Sequence, residues 1–113
     1  MQTISFHTRR TFVPVLPYVP LSAARSFVAS LHPFKSANVF AERYGGRYVV
    51  YSYTKDWPLL VYDGTNWYAN SSKVSQSSSR HLAAVLPHGV VPVEVTLEEA
   101  LELADLCGRA QTA

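Results

Sequence analysis

NVFAERYGGRYVVYSY, residues 38–53, is the stretch on which the fold turns. Two runs of Val, Phe and Tyr flank Gly45-Gly46. β-Branched and aromatic side chains suit a pleated, half-buried surface. Two glycines supply the positive φ angles of a two-residue turn. The pattern predicts a β-hairpin. TKDW (54–57) then makes the next turn. PLLVY (58–62), Asp63-Gly64 and TNWYA (65–69) predict a second hairpin. With a two-residue turn at Asp63-Gly64, Leu60 would face Trp67 and Leu59 would face Tyr68, pairs of the kind that fix register. The expectation is a four-stranded antiparallel meander over about residues 38–69.

The flanks extend this core. VVPVEV (90–95) predicts an edge strand, because Pro92 cannot donate to a ladder. TLEEALELADLCG (96–108) predicts a helix opened by a Thr96/Glu99 capping box. Its buried face would be Leu97, Ala100, Leu101, Ala104 and Cys107, its wet face Glu98, Glu102, Asp105 and Arg109, and Gly108 its C′ residue. Upstream, Ser22 would cap a helix over 23–31 with Ala24, Phe27, Val28 and Leu31 as its apolar stripe, ended by His32-Pro33. Residues 2–6, QTISF, alternate as a strand would, and Arg9-Arg10 follow. Pro14, Pro17 and Pro20 recur at the three-residue period of polyproline II. Because that segment is apolar, it is expected to be an extended connector packing Val15, Leu16 and Tyr18 on the domain rather than a ligand for an aromatic groove. The predicted class is therefore α+β: an antiparallel sheet with added edge strands and two or three helices (23–31, 77–86, 97–107) packed on one face.

Composition sets the outer bounds. A chain of 113 residues, 48% hydrophobic and 16% charged, fits one domain spanning 1–113. Its one cysteine, Cys107, excludes an intramolecular disulfide, and no Cys/His spacing suits zinc. No signal peptide and no membrane-length apolar run are evident, so the expected compartment is a reducing cytoplasm, with no membrane partner, cofactor or metal. Charge is uneven. Residues 1–81 carry nine Lys/Arg and three Asp/Glu, whereas 82–113 carry one Arg and five Asp/Glu. The acidic part is expected to be a solvated helix face.

SSKVSQSSSRH (71–81) has the composition of a linker, six serines in eleven residues. A long structureless loop is unusual between a strand and an amphipathic helix. The prediction is a capped helix: Ser77 or Ser78 as N-cap, His81 and Val85 on one face with Leu82 and Leu86 beside them, and Pro87 as the stop.

YSYTKDW (51–57) and VSQSSSRHLAAV (74–85) together resemble a small phage-encoded domain family of unknown function. That family carries a strand of the type S-Y-x-T-P-I and, about twenty residues later, Y-S-x-T-T-S-R-H opening a helix. Ser52 and Tyr53 match the first motif; Ser75, Ser77, Ser78, Arg80 and His81 match the second, with Val74 in place of tyrosine and TKDWPL as an expanded turn. The resemblance covers about residues 46–88. It implies a phage or mobile-element origin, and with it a host bacterial cytoplasm, and no established activity.

Two chemistries can be read in the residues of this region. Ser77 and His81 stand at i and i+4 and could touch, but a hydrolase also needs an acid to orient the base, and Asp56 and Asp63 qualify only if the fold brings them there. Arg43, Arg47, Lys55, Lys73 and Arg80 are interleaved with Tyr44, Tyr48, Tyr51, Tyr53, Trp57, Trp67 and Tyr68, the mixture that single-stranded nucleic acid uses for stacking and phosphate contact. The same rings are also what a small core uses for bulk. The leading expectation is a non-enzymatic binding protein that occupies a surface of a host protein or nucleoprotein complex, an anti-CRISPR-like inhibitor being one form. Its partner-binding residues would be Arg47, Tyr51, Tyr53, Lys55, Trp57, Lys73, Arg80 and His81. Single-stranded nucleic-acid binding is the alternative.

Overall fold

The computed structural model describes residues 16–53, 57–71 and 76–112. The elements in order are α1 (Leu21–Ala29), β1 (Phe34–Lys35), β2 (Val39–Tyr44), β3 (Arg47–Ser52), β4 (Pro58–Tyr62), β5 (Trp67–Asn70), α2 (Gln76–Val85), β6 (Val93–Val95) and α3 (Leu97–Thr112). The architecture is α+β. The six strands form one sheet in sequential order. The predicted meander is there as β2–β5, all antiparallel. The sheet is mixed, because β6 lies parallel to β5. Parallel neighbours need a crossover, and α2 provides it.

Strand alternation divides the core. Val39 and Ala41 of β2 and Tyr48 and Val50 of β3 join Ala24 and Val28 of α1 and Val85 of α2. Their neighbours Phe40, Val49 and Tyr51 point the other way and join Val61 with Ala104 and Cys107 of α3. The helices therefore occupy both faces of the sheet, not the one face expected. With both faces apolar, β2 and β3 read as near-continuous buried runs. An irregularity at Val50/Tyr51 sets Tyr51 opposite Pro58 and Val50 opposite Leu60. Leu59 is the extra residue, so Leu59 and Leu60 both serve the α1/α2 side.

Local chemistry explains where the elements depart from expectation. In the first hairpin only Gly45 of the glycine pair carries a positive φ, 65°. The second hairpin pairs Leu60 with Ala69 and Tyr62 with Trp67, so its loop has four residues and the register is two residues off the expected one. Asp63 causes this. Its Oδ1 accepts the amides of Thr65 (2.8 Å) and Asn66 (2.7 Å), a side-chain-stabilised turn that outcompetes the two-residue form. α1 starts at Leu21 after Pro20, placing Ser22 inside the helix rather than at its cap. It ends in a Schellman motif: His32 N–H donates to Phe27 O and Leu31 N–H to Val28 O, with Leu31 at φ 59° where glycine is usual. The Thr96/Glu99 capping box is formed in both directions, at 3.1 and 2.9 Å. α3 runs through Gly108, and Leu101 is 46% exposed rather than buried. The proline-spaced segment does add to the domain, through a parallel bridge between Tyr18 and Lys35. Val19 packs inward there, whereas Tyr18 is 62% exposed. The expected strand at 2–6, Arg9-Arg10, Pro14 and Val15 lie outside the described residues.

Candidate functional site

The site residues expected from sequence divide between the two ends of the sheet. At the first end, β3 finishes and β4 begins. Tyr53 N–H donates to Asn38 O, Ser52 N–H to Trp57 O, and the Asn70 amide side chain reaches Pro58 O at 3.1 Å. The chain leaves β5 at this same end, at Ser71, before α2 begins at Gln76. Tyr53, on the α3 face, and Trp57, on the α1/α2 face, lie at this end, and α2 sets out after it along the α1/α2 face carrying Arg80 and His81. Arg47 starts β3 at the other end, about 17 Å away by strand rise.

Exposure sorts the first-end residues. Tyr53 is 39% exposed, and its ring lies 4.9 Å from that of Phe40 on the α3 face. Arg80 is exposed on α2. Trp57 is half-buried and packs against the α1/α2 core. His81 is half-buried too; burial, then the neighbouring Arg80 charge, lowers its pKa and keeps the ring neutral near pH 7. Tyr51 is only 2% exposed. It stacks on Phe40 at 4.9 Å, and its hydroxyl meets that of Tyr44 at 3.1 Å. It belongs to the core, and its expected role as a partner contact is withdrawn. Lys55, Lys73 and Ser75 lie outside the described residues. Ser77 and Ser78 fall in the first turn of α2 rather than before it.

The geometry bears on both hydrolysis and nucleic-acid binding. Asp63 cannot orient His81. Its Oδ2 accepts the Tyr68 hydroxyl at 3.0 Å, on the α3 face, whereas α2 packs on the opposite face. Asp56 lies outside the described residues. For nucleic acid, a stacking platform needs an open aromatic sheet face. Tyr48 and Tyr51 are enclosed between sheet and helices, and Trp67 and Tyr62 pack at a tilt with ring centroids 4.7 Å apart beside the Tyr48 side of the core. No group of three or more His, Cys, Asp or Glu among the described residues could hold a metal, and none of their helices is long and apolar enough to cross a membrane.

One residue matters that sequence reading passed over. Arg25 on α1 donates from Nε to Leu86 O (2.8 Å) and from Nη2 to Ala83 O (2.7 Å), while Nη1 lies 3.0 Å from Nε2 of His88. It clamps the C-terminal end of α2, the helix that carries Arg80 and His81. The signal was Pro87: a helix stopped by proline leaves carbonyls without donors, and a cation at that end satisfies them.

Comparison with protein-family models, curated proteins and solved structures finds no match for this chain.

Proposed function

We propose that this chain is a non-enzymatic binding protein that inhibits or modulates a host protein or nucleoprotein machine by occupying one of its surfaces. The carrying observation is the first end of the sheet. There Tyr53 stands exposed on the α3 face, while half-buried Trp57 and α2, with exposed Arg80 and half-buried His81, stand on the opposite face, on a frame fixed by strand pairing and by the α2 clamp. Aromatic and arginine side chains on rigid elements are the usual anchors of protein interfaces, because they give large contact area at low entropic cost. The phage or mobile-element origin, the bacterial cytoplasm and the anti-CRISPR-like form rest on the motif resemblance at residues 46–88 and on chain size. Single-stranded nucleic-acid binding is less well supported, since Tyr48 and Tyr51, two of the rings it would use, are enclosed in the core.

The test is capture of a partner from the bacterial host with tagged protein, identification by mass spectrometry, and reconstitution with the purified partner. Tyr53→Ala with Arg80→Ala is expected to abolish the reconstituted complex while thermal melting stays near wild type. Binding retained by that double variant would overturn the site. A gel shift of single-stranded oligonucleotides that weakens steeply with salt would favour the nucleic-acid reading instead.

A further inference from the structure

At the second end of the sheet lies a cleft of about 330 Å³, lined by Arg47, Asp63, Leu103, Leu106 and Cys107. The volume is at the lower end of the range for small-ligand sites. Leu103 is half-buried, Cys107 closes the floor at 1% exposure, and Leu106 stands 58% exposed at the rim although apolar. Arg47 is exposed, and among the described residues its guanidinium makes no hydrogen bond or ion pair.

The two other ionisable groups of the cleft leave that guanidinium available. Burial raises the Cys107 pKa, against the opposing pull of Arg47, so the thiol is neutral and gives Arg47 no counter-ion. The Asp63 carboxylate is engaged by its own turn. Burial alone would raise its pKa, but the Asn66 and Thr65 amides and the Tyr68 hydroxyl together hold it below the ordinary value. It therefore stays anionic and turned toward those donors. Its charge still bears on what can enter: a dianion meets stronger repulsion from Asp63, whereas a single negative charge on Arg47 is tolerated.

We propose that this cleft binds a monocarboxylate carried on a short apolar body. The Arg47 fork takes the carboxylate with two parallel N–H donors, and Leu103, Leu106 and the Cys107 side chain take the body. A medium-chain fatty acid and the apolar C-terminal residue of a peptide share this chemistry. The site is separate from the partner surface proposed above and stands or falls without it.

The experiment titrates the full, ¹⁵N-labelled chain with sodium octanoate and, in parallel, with N-acetyl-Leu-Leu. Octanol, acetate, octyl phosphate and the amidated dipeptide serve as controls. Saturable shifts are expected at the amides of Arg47, Leu103, Leu106 and Cys107 with one or both carboxylates, and the tighter of the two identifies the source. Octanol, acetate and the amidated peptide should fail at equal concentration, and octyl phosphate should bind more weakly than octanoate. Arg47→Gln should weaken binding by about tenfold or more, the loss of one charge-assisted contact, with melting unchanged because the side chain is exposed. The inference is overturned if neither carboxylate gives saturable shifts there by about 10 mM, a concentration that would reveal even millimolar affinity. Octanol matching octanoate, or Arg47→Gln binding as tightly as wild type, overturns it equally.

Discussion

Replacing Arg25 with methionine tests whether α2 is held in place by its clamp or only by its apolar face. Methionine keeps the aliphatic stem and removes the guanidinium. In a continued helix Ala83 O would accept from the amide of residue 87, but that residue is Pro87 and has none. Arg25 supplies the missing donor at 2.7 Å, serves Leu86 O at 2.8 Å, and sits 3.0 Å from His88 Nε2, which accepts only when the imidazole is neutral. Hydrogen bonds from a charged donor contribute about 1.5–3 kcal/mol each, but the Ala83 and His88 contacts are exposed and water replaces much of what they lose. The expected net cost is thus about 1–2 kcal/mol, or about 4–8 °C in Tm for a domain of this size. Arg25→Lys should cost nearly as much, since one ammonium cannot span three acceptors. Urea unfolding followed by circular dichroism gives the free energy. Amide exchange at Val85 and Leu86 should accelerate, because the Leu86-to-Leu82 bond (3.0 Å) closes the turn that the clamp holds. Pro87→Ala sharpens the test: it restores an amide at position 87, so Arg25→Met should cost less in that background. A loss below about 0.3 kcal/mol, within the additivity error of such cycles, or strict additivity with Pro87→Ala, would refute the reasoning.

Three further expectations follow from individual side chains. Leu60→Ala removes a side chain that is 0% exposed between Val50 and Ala69 and should cost about 2–5 kcal/mol in urea melts; a loss below 1 kcal/mol would mean the site collapses freely. Burial pushes the Tyr48 phenol far above its ordinary value despite the opposing Arg43 charge, so its contribution is complete below about pH 10 and disappears as pH rises beyond it; Tyr48→Phe should flatten that alkaline slope and cost about 1 kcal/mol at neutral pH through the lost 2.6 Å bond to His32 O. Tyr44, shifted the same way by burial, then by Tyr51 and Glu42, leaves a residual slope in that variant. Asp63 is shifted downward, so its contribution is present above about pH 4 and is lost as pH falls through the depressed value; Asp63→Ala should flatten the acid limb and cost about 1 kcal/mol at pH 7, read from pH-dependent urea unfolding.

The sheet was legible because its signals are local. Gly45-Gly46 between aromatic and β-branched runs, Pro92 beside a short strand, and Thr96 three residues before Glu99 each act over a few bonds. What escaped depends on competition or on distance. Asp63-Gly64 favours a two-residue turn by composition, but the Asp63 carboxylate had two amides to choose from, and accepting both moved the register by two residues. Alternation in β2 and β3 was hidden because both faces are apolar, so nothing in the sequence said that α3 lies opposite α1 and α2. For the same reason Tyr51 and Tyr53, two residues apart on one face, could not be told apart: Tyr51 is enclosed, while Tyr53 stands where the strand has ended. The separation of Arg47 from Arg80 was implicit in strand length once the meander was assigned, but charge composition alone merges them into one basic half.

That separation carries a consequence for function. Between the two ends runs β3, paired on both sides over its length and 0–2% exposed from Tyr48 to Tyr51. An element so enclosed does not deform to accommodate a change at one tip, and residues more than about 10 Å apart without shared partners behave additively. Arg47→Gln should therefore leave capture of a partner at Tyr53 and Arg80 unchanged, and the Tyr53→Ala, Arg80→Ala variant should leave octanoate shifts at Leu103 and Leu106 unchanged. Isothermal titration of single and combined variants against both ligands measures this directly. A coupling above about 0.5 kcal/mol would show that the two ends form one surface wrapped by a single partner, and the division of the site drawn from strand geometry would then be wrong.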